Sequence, residues 1–328
     1  MTGFSGLAEA LRPDLERVGR MMDDVLRSDV DLLERTNASI RSHPGKMLRP
    51  MLSIMAARLC TGGKPTEDAF RLATASELVH NATLLHDDVV DGSASRRGRP
   101  TVSALLGGRA AVLLGDFWLV RAVGLLLDVR NHMDDCLRLF SKTLSDLAEG
   151  EMIQLQKASA GDTTEEDYLR IIYSKTASLF ETAVLSSARS QEASPAQYEA
   201  LKAYAYNLGI AFQIQDDILD YVGDDSLGKP VGHDLLEQKI TLPFLGALAG
   251  LDEAEAAGLR KRVININGSK AERDALVSLV RSRGGVDYAR ERLELYVGRA
   301  IDALSIFPAG DDRERMEGLA RFVAERKI

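Results

Sequence analysis

LLHDDVVD at residues 84–91 and FQIQDDILD at residues 212–220 are the two stretches that decide the fold. Each sets three aspartates among apolar residues that recur at helical spacing. In a helix, the first and last aspartates of each stretch are four positions apart, so their carboxylates lie on one face. Carboxylates that share a face can bind a hard divalent cation together. The two stretches therefore predict two acidic helices that hold magnesium.

The plainer interpretation of these stretches is a pair of solvated acidic helix faces. Three carboxylates within one helical turn repel one another, and this raises their pKa values unless a cation neutralises them. The apolar flanks Leu84-Leu85 and Ile218-Leu219, and the second copy of the pattern, favour the metal site. A calcium-binding EF-hand loop is excluded because its alternate-position ligands and its glycine are missing.

Composition limits the possible partners and the fold. The chain has 328 residues, with 45% hydrophobic and 27% charged residues and a formal net charge of −8. This content can supply a sizeable core, and we expect one domain over residues 1–328. No basic excess indicates a nucleic-acid partner. An acidic protein repels anions, so a phosphate ligand must be captured by a local basic patch or through bound cations.

The pattern of apolar residues predicts an all-α fold. Apolar residues recur every three or four positions almost throughout, and strand-like alternation is nearly absent. Glycine and proline clusters divide the chain into about ten or more helices around a central cavity. Thr163-Thr164-Glu165-Glu166 and Ser194-Pro195 have the composition of helix starts.

Cysteine content and apolar runs bear on location. Cys60 and Cys136 are too few for a disulfide framework or a cysteine metal site, which fits a reducing compartment. Residues 1–20 lack the features of an export signal. Charged residues interrupt the most apolar stretch, Ala110 to Val129, and we interpret it as a buried core helix. We therefore expect a cytoplasmic protein without an integral membrane segment.

Basic residues flank both acidic stretches. Arginine gives bidentate contacts to phosphate and lysine a point charge. Any one of these residues alone is more simply explained as surface charge, but the set predicts two diphosphate pockets. The set comprises Lys46, Arg49, Arg96, Arg97, Lys175, Lys229 and Lys239.

Together these motifs resemble the trans-isoprenyl diphosphate synthases, also called polyprenyl synthetases. The resemblance covers roughly residues 40 to 245. It rests on GKMLRP (45–50), ELVHNATLLHDDVVD (77–91), RRGRPT (96–101), GDF (115–117), GEM (150–152), KTA (175–177), FQIQDDILD (212–220), GKP (228–230) and KITLP (239–243).

The resemblance implies head-to-tail condensation, in which an allylic diphosphate ionises and isopentenyl diphosphate attacks the resulting cation. It implies about three magnesium ions per active site when substrate is bound, and a homodimer. Asp87, Asp91 and Asp216 would ligate metal directly, with Asp88, Asp217 and Asp220 in the outer shell. Arg96, Lys175, Lys229 and Lys239 would bind the allylic diphosphate; Lys46, Arg49, His80 and Arg97 would bind isopentenyl diphosphate. Thr176 and Gln213 would face the developing cation.

Three positions depart from the family pattern. Met47 replaces a frequent basic residue, Gly108 a common asparagine, and Gln238 the usual glycine before Lys239. None of them removes a metal ligand. We expect Met47 to cost one phosphate contact, and Gln238 to alter the loop that presents Lys239.

Small residues upstream of the first acidic stretch bear on product length. Thr83 and Ala82 lie four and five positions before Asp87, where short-chain members of the family often carry an aromatic ring. With Val79 further up the same face, they predict an open tunnel and a product of more than twenty carbons, about thirty to fifty. Trp118 is a candidate plug, although a core aromatic is the plainer interpretation.

Three rival functions remain open at this point. The first is a short-chain farnesyl or geranylgeranyl diphosphate synthase. The second is a terpene cyclase or head-to-head synthase, which the basic set and the aspartate-rich second stretch disfavour. The third, from another class, is a non-catalytic regulatory subunit of a heteromeric prenyl synthase, which the intact acidic and basic residues disfavour.

Overall fold

A computed structural model describes residues 4–43, 45–96, 98–223 and 231–326. The fold is all-α, as predicted, and the helices of the described residues agree with the expected number of about ten or more. The first half contains α1 (Phe4–Ala10), α2 (Arg12–Val25), α3 (Asp31–Arg41), α4 (Leu48–Thr61), α5 (Glu67–Val90), the two-residue strands β1 (Ser95–Arg96) and β2 (Arg99–Pro100), α6 (Val102–Leu106), α7 (Gly108–Leu127) and α8 (Met133–Ala160).

The second half continues with further helices and one π-helical turn. These are α9 (Glu165–Ile172), the π turn (Tyr173–Ala177), α10 (Ser178–Ser190), α11 (Pro195–Val222), α12 (His233–Leu236), α13 (Leu242–Leu248), α14 (Glu253–Ile264), α15 (Lys270–Ser282), α16 (Gly285–Ala303), a 3₁₀ turn (Leu304–Ile306) and α17 (Asp311–Glu325). Both predicted helix starts are confirmed: Thr164 caps α9 in a capping box with Asp167, and α11 begins at Pro195.

The chain divides into two compact units. The first comprises Met1–Ser141, Thr182–Leu201 and Ala309–Arg315, and the second Lys142–Glu181, Lys202–Pro308 and Met316–Ile328. Helices α8, α10, α11 and α17 have residues in both. The organisation of residues 1–328 as a single domain stays a prediction.

In the first unit, α5 is the central element. It packs against α2, α4, α6 and α7. Residues around most of its circumference are buried because neighbours cover it on several sides, which suits its many small side chains. The buried residues include Ala69, Leu72, Ala73, Ala75, Leu78 and Ala82. This packing fixes the helix that ends in the first acidic stretch.

In the second unit, α13 packs on α15 and α16, and α9 on the π turn. Close approach around the π turn depends on glycine. A Cβ atom at Gly209 of α11 would lie 2.6 Å from Cα and Cβ of Ala177, and one at Gly150 of α8 would lie 2.7 Å from Cβ of Ser174. Such distances are too short for carbon atoms, so these glycines let α8 and α11 contact the turn directly.

Helix α7 differs from the buried core helix expected for this stretch. One face is buried through Leu114, Trp118 and Leu125, but Leu113 and Val120 on the other are exposed. Composition alone could not show this, because both faces are apolar. Of the described residues, only α7 has the length and composition of a membrane span, and a helix in the core of a soluble protein meets the same criterion.

Candidate active site

The first acidic stretch forms the end of α5 in the first unit. Asp87 is half-buried and Asp91 is exposed, one turn apart on the helix. Asp88 is buried and turned away from them, where its Oδ1 accepts a hydrogen bond from Arg96 Nε at 2.8 Å. Asp87 and Asp91 are thus the carboxylates on the accessible face, and Asp88 orders the arginine that follows the helix.

Three predicted substrate-binding residues of the first unit, Lys46, Arg49 and His80, lie at the start of α4 and on α5. Lys46 is exposed just before α4 and Arg49 lies in its first turn, where the helix dipole adds positive potential. Met47, between them, is the N-cap and has a left-handed backbone, with φ of 53°. His80 is half-buried on α5, which packs against α4. Arg97 lies outside the described residues.

Lys175 and Thr176 of the second unit lie in the π turn. The wider turn replaces the regular α-helical pattern, and π turns of this kind are frequent at functional sites. Lys175 Nζ lies 2.7 Å from Glu151 Oε1 and donates to Gln154 Oε1 at 2.9 Å. These two residues of α8 hold the ammonium group in place.

A line of hydrogen bonds connects the π turn to the second acidic stretch. Thr176 Oγ1 donates to Gln213 Oε1 at 2.9 Å, and Gln213 Nε2 donates to Asp217 Oδ1 at 2.9 Å. The other Asp217 oxygen, Oδ2, accepts from the hydroxyl of Tyr168 at 2.6 Å. Both oxygens of Asp217 are therefore held by protein donors, which fits an orienting role better than direct metal ligation.

The acidic residues of the second unit are electrostatically strained. Burial raises the pKa of Asp217 to about 7, and it raises the pKa of Asp220 as well. Two hydrogen bonds partly offset the effect of burial on Asp220, whose oxygens accept from the backbone N–H groups of His233 and Asp234 at 3.0 and 3.1 Å. Burial, then repulsion from Asp217 and Asp220, raises the pKa of Asp234 well above its ordinary value. Such a group of carboxylates would be stabilised by a cation.

Asp216, the first aspartate of the second stretch, pairs with the end of the described chain. Its Oδ1 lies 2.7 Å from Arg326 Nη2, which also donates to the Phe212 carbonyl at 2.7 Å. The guanidinium stacks 3.9 Å from the Phe212 ring centroid, and the Arg326 carbonyl accepts from Gln215 Nε2 at 2.7 Å. Burial lowers the pKa of Arg326, and Asp216 opposes that effect.

A cavity of about 180 Å³ in the second unit brings charged groups of both signs together. Its lining includes Lys157, Lys175, Lys239, Gln213, Asp217 and Asp234. Lys239 was predicted for diphosphate binding, and Gln238 before it has a left-handed backbone with φ of 59°, which explains why glycine is usual there. The predicted Lys229 lies outside the described residues.

Sequence reasoning missed several residues of this region. Lys157 is an ordinary helical lysine in the sequence, but it lies 2.9 Å from Asp167 and lines the cavity. Tyr168 and Asp234 belong to none of the motifs recognised in the sequence. Arg326 was not among the predicted site residues.

The predicted chain-length residues lie on α5 and α7. Ala82 and Val79 are buried, and Thr83 is half-buried. Trp118 is fully buried, with its indole N–H donating to Asn37 Oδ1 at 2.8 Å. This buried bond fixes the indole ring in the core of the first unit. The effect of these four chain-length residues on product length stays a prediction.

The donor types of both acidic stretches suit magnesium, which prefers carboxylate and water oxygens. Within the described residues, however, no group of three or more acidic, histidine or cysteine side chains converges on one point. Pairs such as Asp87 and Asp91 fit a hard cation only if other oxygens complete its coordination. Diphosphate and water oxygens are suitable for this.

Comparison with known proteins identifies the class. The polyprenyl synthetase family model matches residues 30–280. An all-trans-nonaprenyl-diphosphate synthase (geranyl-diphosphate specific) of Rhodobacter capsulatus is 38% identical over 95% of each chain, and the octaprenyl diphosphate synthase of Escherichia coli is 38% identical over 97% of each. A crystal structure of a Caulobacter crescentus polyprenyl synthase, complexed with calcium and isoprenyl diphosphate, superposes with a TM-score of 0.90 at 36% identity and covers 100% of this chain and 99% of that one.

The chain belongs to the polyprenyl synthetase family. The family prediction and the all-α fold class are therefore confirmed. The prediction of a prenyl diphosphate synthase making long chains agrees with the names of these relatives.

Proposed function

We propose that this chain is a magnesium-dependent prenyltransferase that condenses isopentenyl diphosphate with an allylic diphosphate, head to tail. It repeats the step until the product has about thirty to fifty carbons. The observation that carries the proposal is the cavity of the second unit, where three lysines lie beside Gln213 and buried aspartates. Ammonium groups can bind a diphosphate, and the carboxylates beside them can orient the groups that surround its counter-ions.

The accessible carboxylates bind the metal. Asp87 and Asp91 would hold magnesium at the first stretch and Asp216 at the second, where the metal would replace the ion pair with Arg326. Asp88 accepts from Arg96, and Asp217 accepts from Tyr168 and Gln213. Bound magnesium supplies charge neutralisation for the departing diphosphate. Asp88, Asp217 and Asp220 act in the outer shell, where their hydrogen bonds fix neighbouring groups. About three ions per site are proposed.

The remaining groups divide between two substrates. Lys175, Lys239, Arg96 and Lys229 bind the allylic diphosphate, while Lys46, Arg49, His80 and Arg97 bind isopentenyl diphosphate. The oxygens of Thr176 and Gln213 face the positive charge that develops on the allylic carbon, where preorganised dipoles stabilise it. The released diphosphate takes the final proton, so no protein base is required.

Product length is set on α5. Buried Ala82 and Val79 and half-buried Thr83 offer no aromatic floor one to two turns before Asp87. Octaprenyl and nonaprenyl products in the names of relatives support the same range. Trp118 lies on α7, which packs against α5, and is the candidate floor.

We further propose a homodimer formed through α7, in a cytoplasmic protein. Exposed Leu113, Val120 and Leu127 recur every seven residues on the uncovered face of α7, a spacing that places apolar side chains along one stripe. Light scattering after gel filtration should give twice the chain mass of 35.8 kDa. Val120→Glu should halve the measured mass, whereas Ile306→Glu, at another exposed apolar residue, should not. A monomeric wild type would contradict the proposal.

Turnover by the purified chain tests the function. Radiolabelled isopentenyl diphosphate, farnesyl diphosphate and magnesium should give labelled products longer than about twenty carbons. Asp87→Asn and Asp216→Asn should each lower kcat by about a hundredfold or more, whereas Asp31→Asn, at an exposed carboxylate, should leave it unchanged.

Other outcomes would support the rivals. Product formed without isopentenyl diphosphate would indicate a cyclase or head-to-head synthase. Chains of twenty carbons or fewer would indicate a short-chain synthase. No turnover without a second protein would indicate a regulatory subunit.

A further inference from the structure

Tyr168 is a buried residue of α9 that no motif singled out. Its helix begins at a capping box formed by Thr164 and Asp167, and Lys157 Nζ lies 2.9 Å from the same Asp167 carboxylate. The backbone N–H of Tyr168 donates to the Thr164 carbonyl at 2.9 Å. The capping box and the ion pair therefore hold the first turn of α9, and this fixes the position of Tyr168.

The hydroxyl of Tyr168 determines how Asp217 is oriented. It donates to Asp217 Oδ2 at 2.6 Å, so that Oδ1 is left to accept from Gln213 Nε2 at 2.9 Å. A buried carboxylate that lost one donor would rotate toward others, because an unpaired buried charge is costly. The hydroxyl thus keeps Oδ1 directed at the glutamine.

The orientation of Asp217 in turn decides which end of the Gln213 amide points toward the π turn. With Nε2 donating to the carboxylate, Oε1 must face Thr176 and accept its hydroxyl proton at 2.9 Å. The opposite amide orientation would set Oε1 against the carboxylate. Because the proton of Thr176 is committed to Gln213, the threonine presents only lone pairs to other groups.

We propose that Tyr168 is a positioning residue for the condensation, because its hydroxyl holds Asp217 so that Gln213 and Thr176 present oxygen lone pairs toward the allylic carbon. Lone pairs stabilise developing positive charge, whereas a hydroxyl proton or an amide N–H aimed at the same carbon would oppose it. The inference rests on the proposed function, since it assumes that these two oxygens face the cation.

Tyr204 provides a matched control. It is also a buried tyrosine of the second unit, and its hydroxyl donates to the Met316 carbonyl at 2.8 Å. Tyr168→Phe and Tyr204→Phe each remove a buried hydroxyl and keep the ring, so both lose a similar hydrogen bond. Only Tyr168→Phe breaks the chain of hydrogen bonds that runs from Tyr168 through Asp217 and Gln213 to Thr176.

Steady-state kinetics separate a positioning role from a structural one. Tyr168→Phe should lower kcat by about tenfold or more, the effect of losing roughly one hydrogen bond's worth of transition-state stabilisation. Its KM for isopentenyl diphosphate should stay within about twofold, because the hydroxyl is committed to Asp217. Tyr204→Phe should keep kcat within about twofold. Wild-type kcat in Tyr168→Phe, or equal losses in both variants, would overturn the proposal.

A double-mutant cycle tests the path of the effect. Asp217→Asn places an amide N–H or oxygen where the carboxylate was and lets Gln213 reorient. In the Tyr168→Phe background it should lower kcat by a much smaller factor than it does in the wild type, because both changes break the same chain of hydrogen bonds. If the two losses of kcat multiply in the double variant, Tyr168 acts through another path than Asp217.

A measurement independent of turnover separates this proposal from the proposed function. The Gln213 side-chain amide signal in nitrogen-15 spectra, assigned by its loss in Gln213→Ala, should shift in Tyr168→Phe and not in Tyr204→Phe. If wild-type enzyme fails to condense its substrates but the signal shifts as predicted, the proposed function fails while the positioning contact stands. An unchanged signal together with an active wild type would refute the positioning role alone.

Discussion

Replacing Gly209 by alanine tests how closely α11 must approach the π turn. A Cβ atom at this position would lie 2.6 Å from Cα and Cβ of Ala177. Carbon atoms in contact prefer about 3.5–4.0 Å, so the two elements must separate by roughly 1 Å. Because the contacted atoms are Cα and Cβ of Ala177, no flexible side chain can move aside, and the backbone of the π turn must shift. Thr176 precedes Ala177 in the chain and would move with it.

The size of the effect follows from two opposing contributions. Overpacking of this kind costs about 1–3 kcal/mol, while alanine in place of glycine inside a helix returns about 0.8–1.0 kcal/mol. Gly209→Ala should therefore lower the free energy of unfolding by up to about 2 kcal/mol. Since the displaced residue neighbours Thr176, a misplacement of roughly 1 Å should lower kcat by about a hundredfold.

Gly298 of α16 is the matched control, because within the described residues nothing lies within 4 Å of a Cβ placed there. Gly298→Ala should raise the free energy of unfolding by about 0.5–1 kcal/mol and leave kcat unchanged. Urea unfolding and initial-rate assays with isopentenyl diphosphate measure both quantities. Wild-type kcat in Gly209→Ala would refute the reasoning that the glycine sets the position of the π turn.

Three further predictions follow from single contacts. Because the pKa of Asp217 is raised to about 7, the folded state binds a proton that the unfolded state has lost, so without magnesium the free energy of unfolding should rise by on the order of 2 kcal/mol from pH 7 to pH 5. Asp217→Asn should flatten this dependence in urea titrations; an equally steep slope would assign the effect to other groups. Ala82→Phe should shorten the product without abolishing condensation, and an unchanged length by chromatography would contradict the placement of the growing chain along α5. Arg326→Met should lower the free energy of unfolding by about 1–3 kcal/mol, since it removes the ion pair with half-exposed Asp216; unaltered stability would show that this contact is dispensable.

Local sequence signals predicted much of this fold. The capping residue Thr164 and the proline at position 195 marked helix starts that the structure confirms. The i, i+4 spacing of Asp87 and Asp91 placed them one turn apart on α5, because helical geometry alone sets that relation. These features depend on residues close together in the chain.

Features that depend on distant residues could not be predicted in the same way. The π turn at Tyr173–Ala177 has an ordinary helical sequence, and its shape becomes understandable only with Gly150 and Gly209 packed against it. The contact of Tyr168 with Asp217 joins residues 49 positions apart. Periodicity likewise could not tell that one apolar face of α7 is exposed, since burial depends on which neighbours cover it.

A crystal structure with magnesium and a non-hydrolysable thio-analogue of the allylic substrate tests the account most directly. It should show metal ions at Asp87 and Asp91 of the first stretch and at Asp216 of the second, with Asp217 still hydrogen-bonded to Tyr168 and Gln213. Crystals in which neither acidic stretch binds metal at saturating magnesium and analogue would contradict the claim that these carboxylates drive departure of the diphosphate.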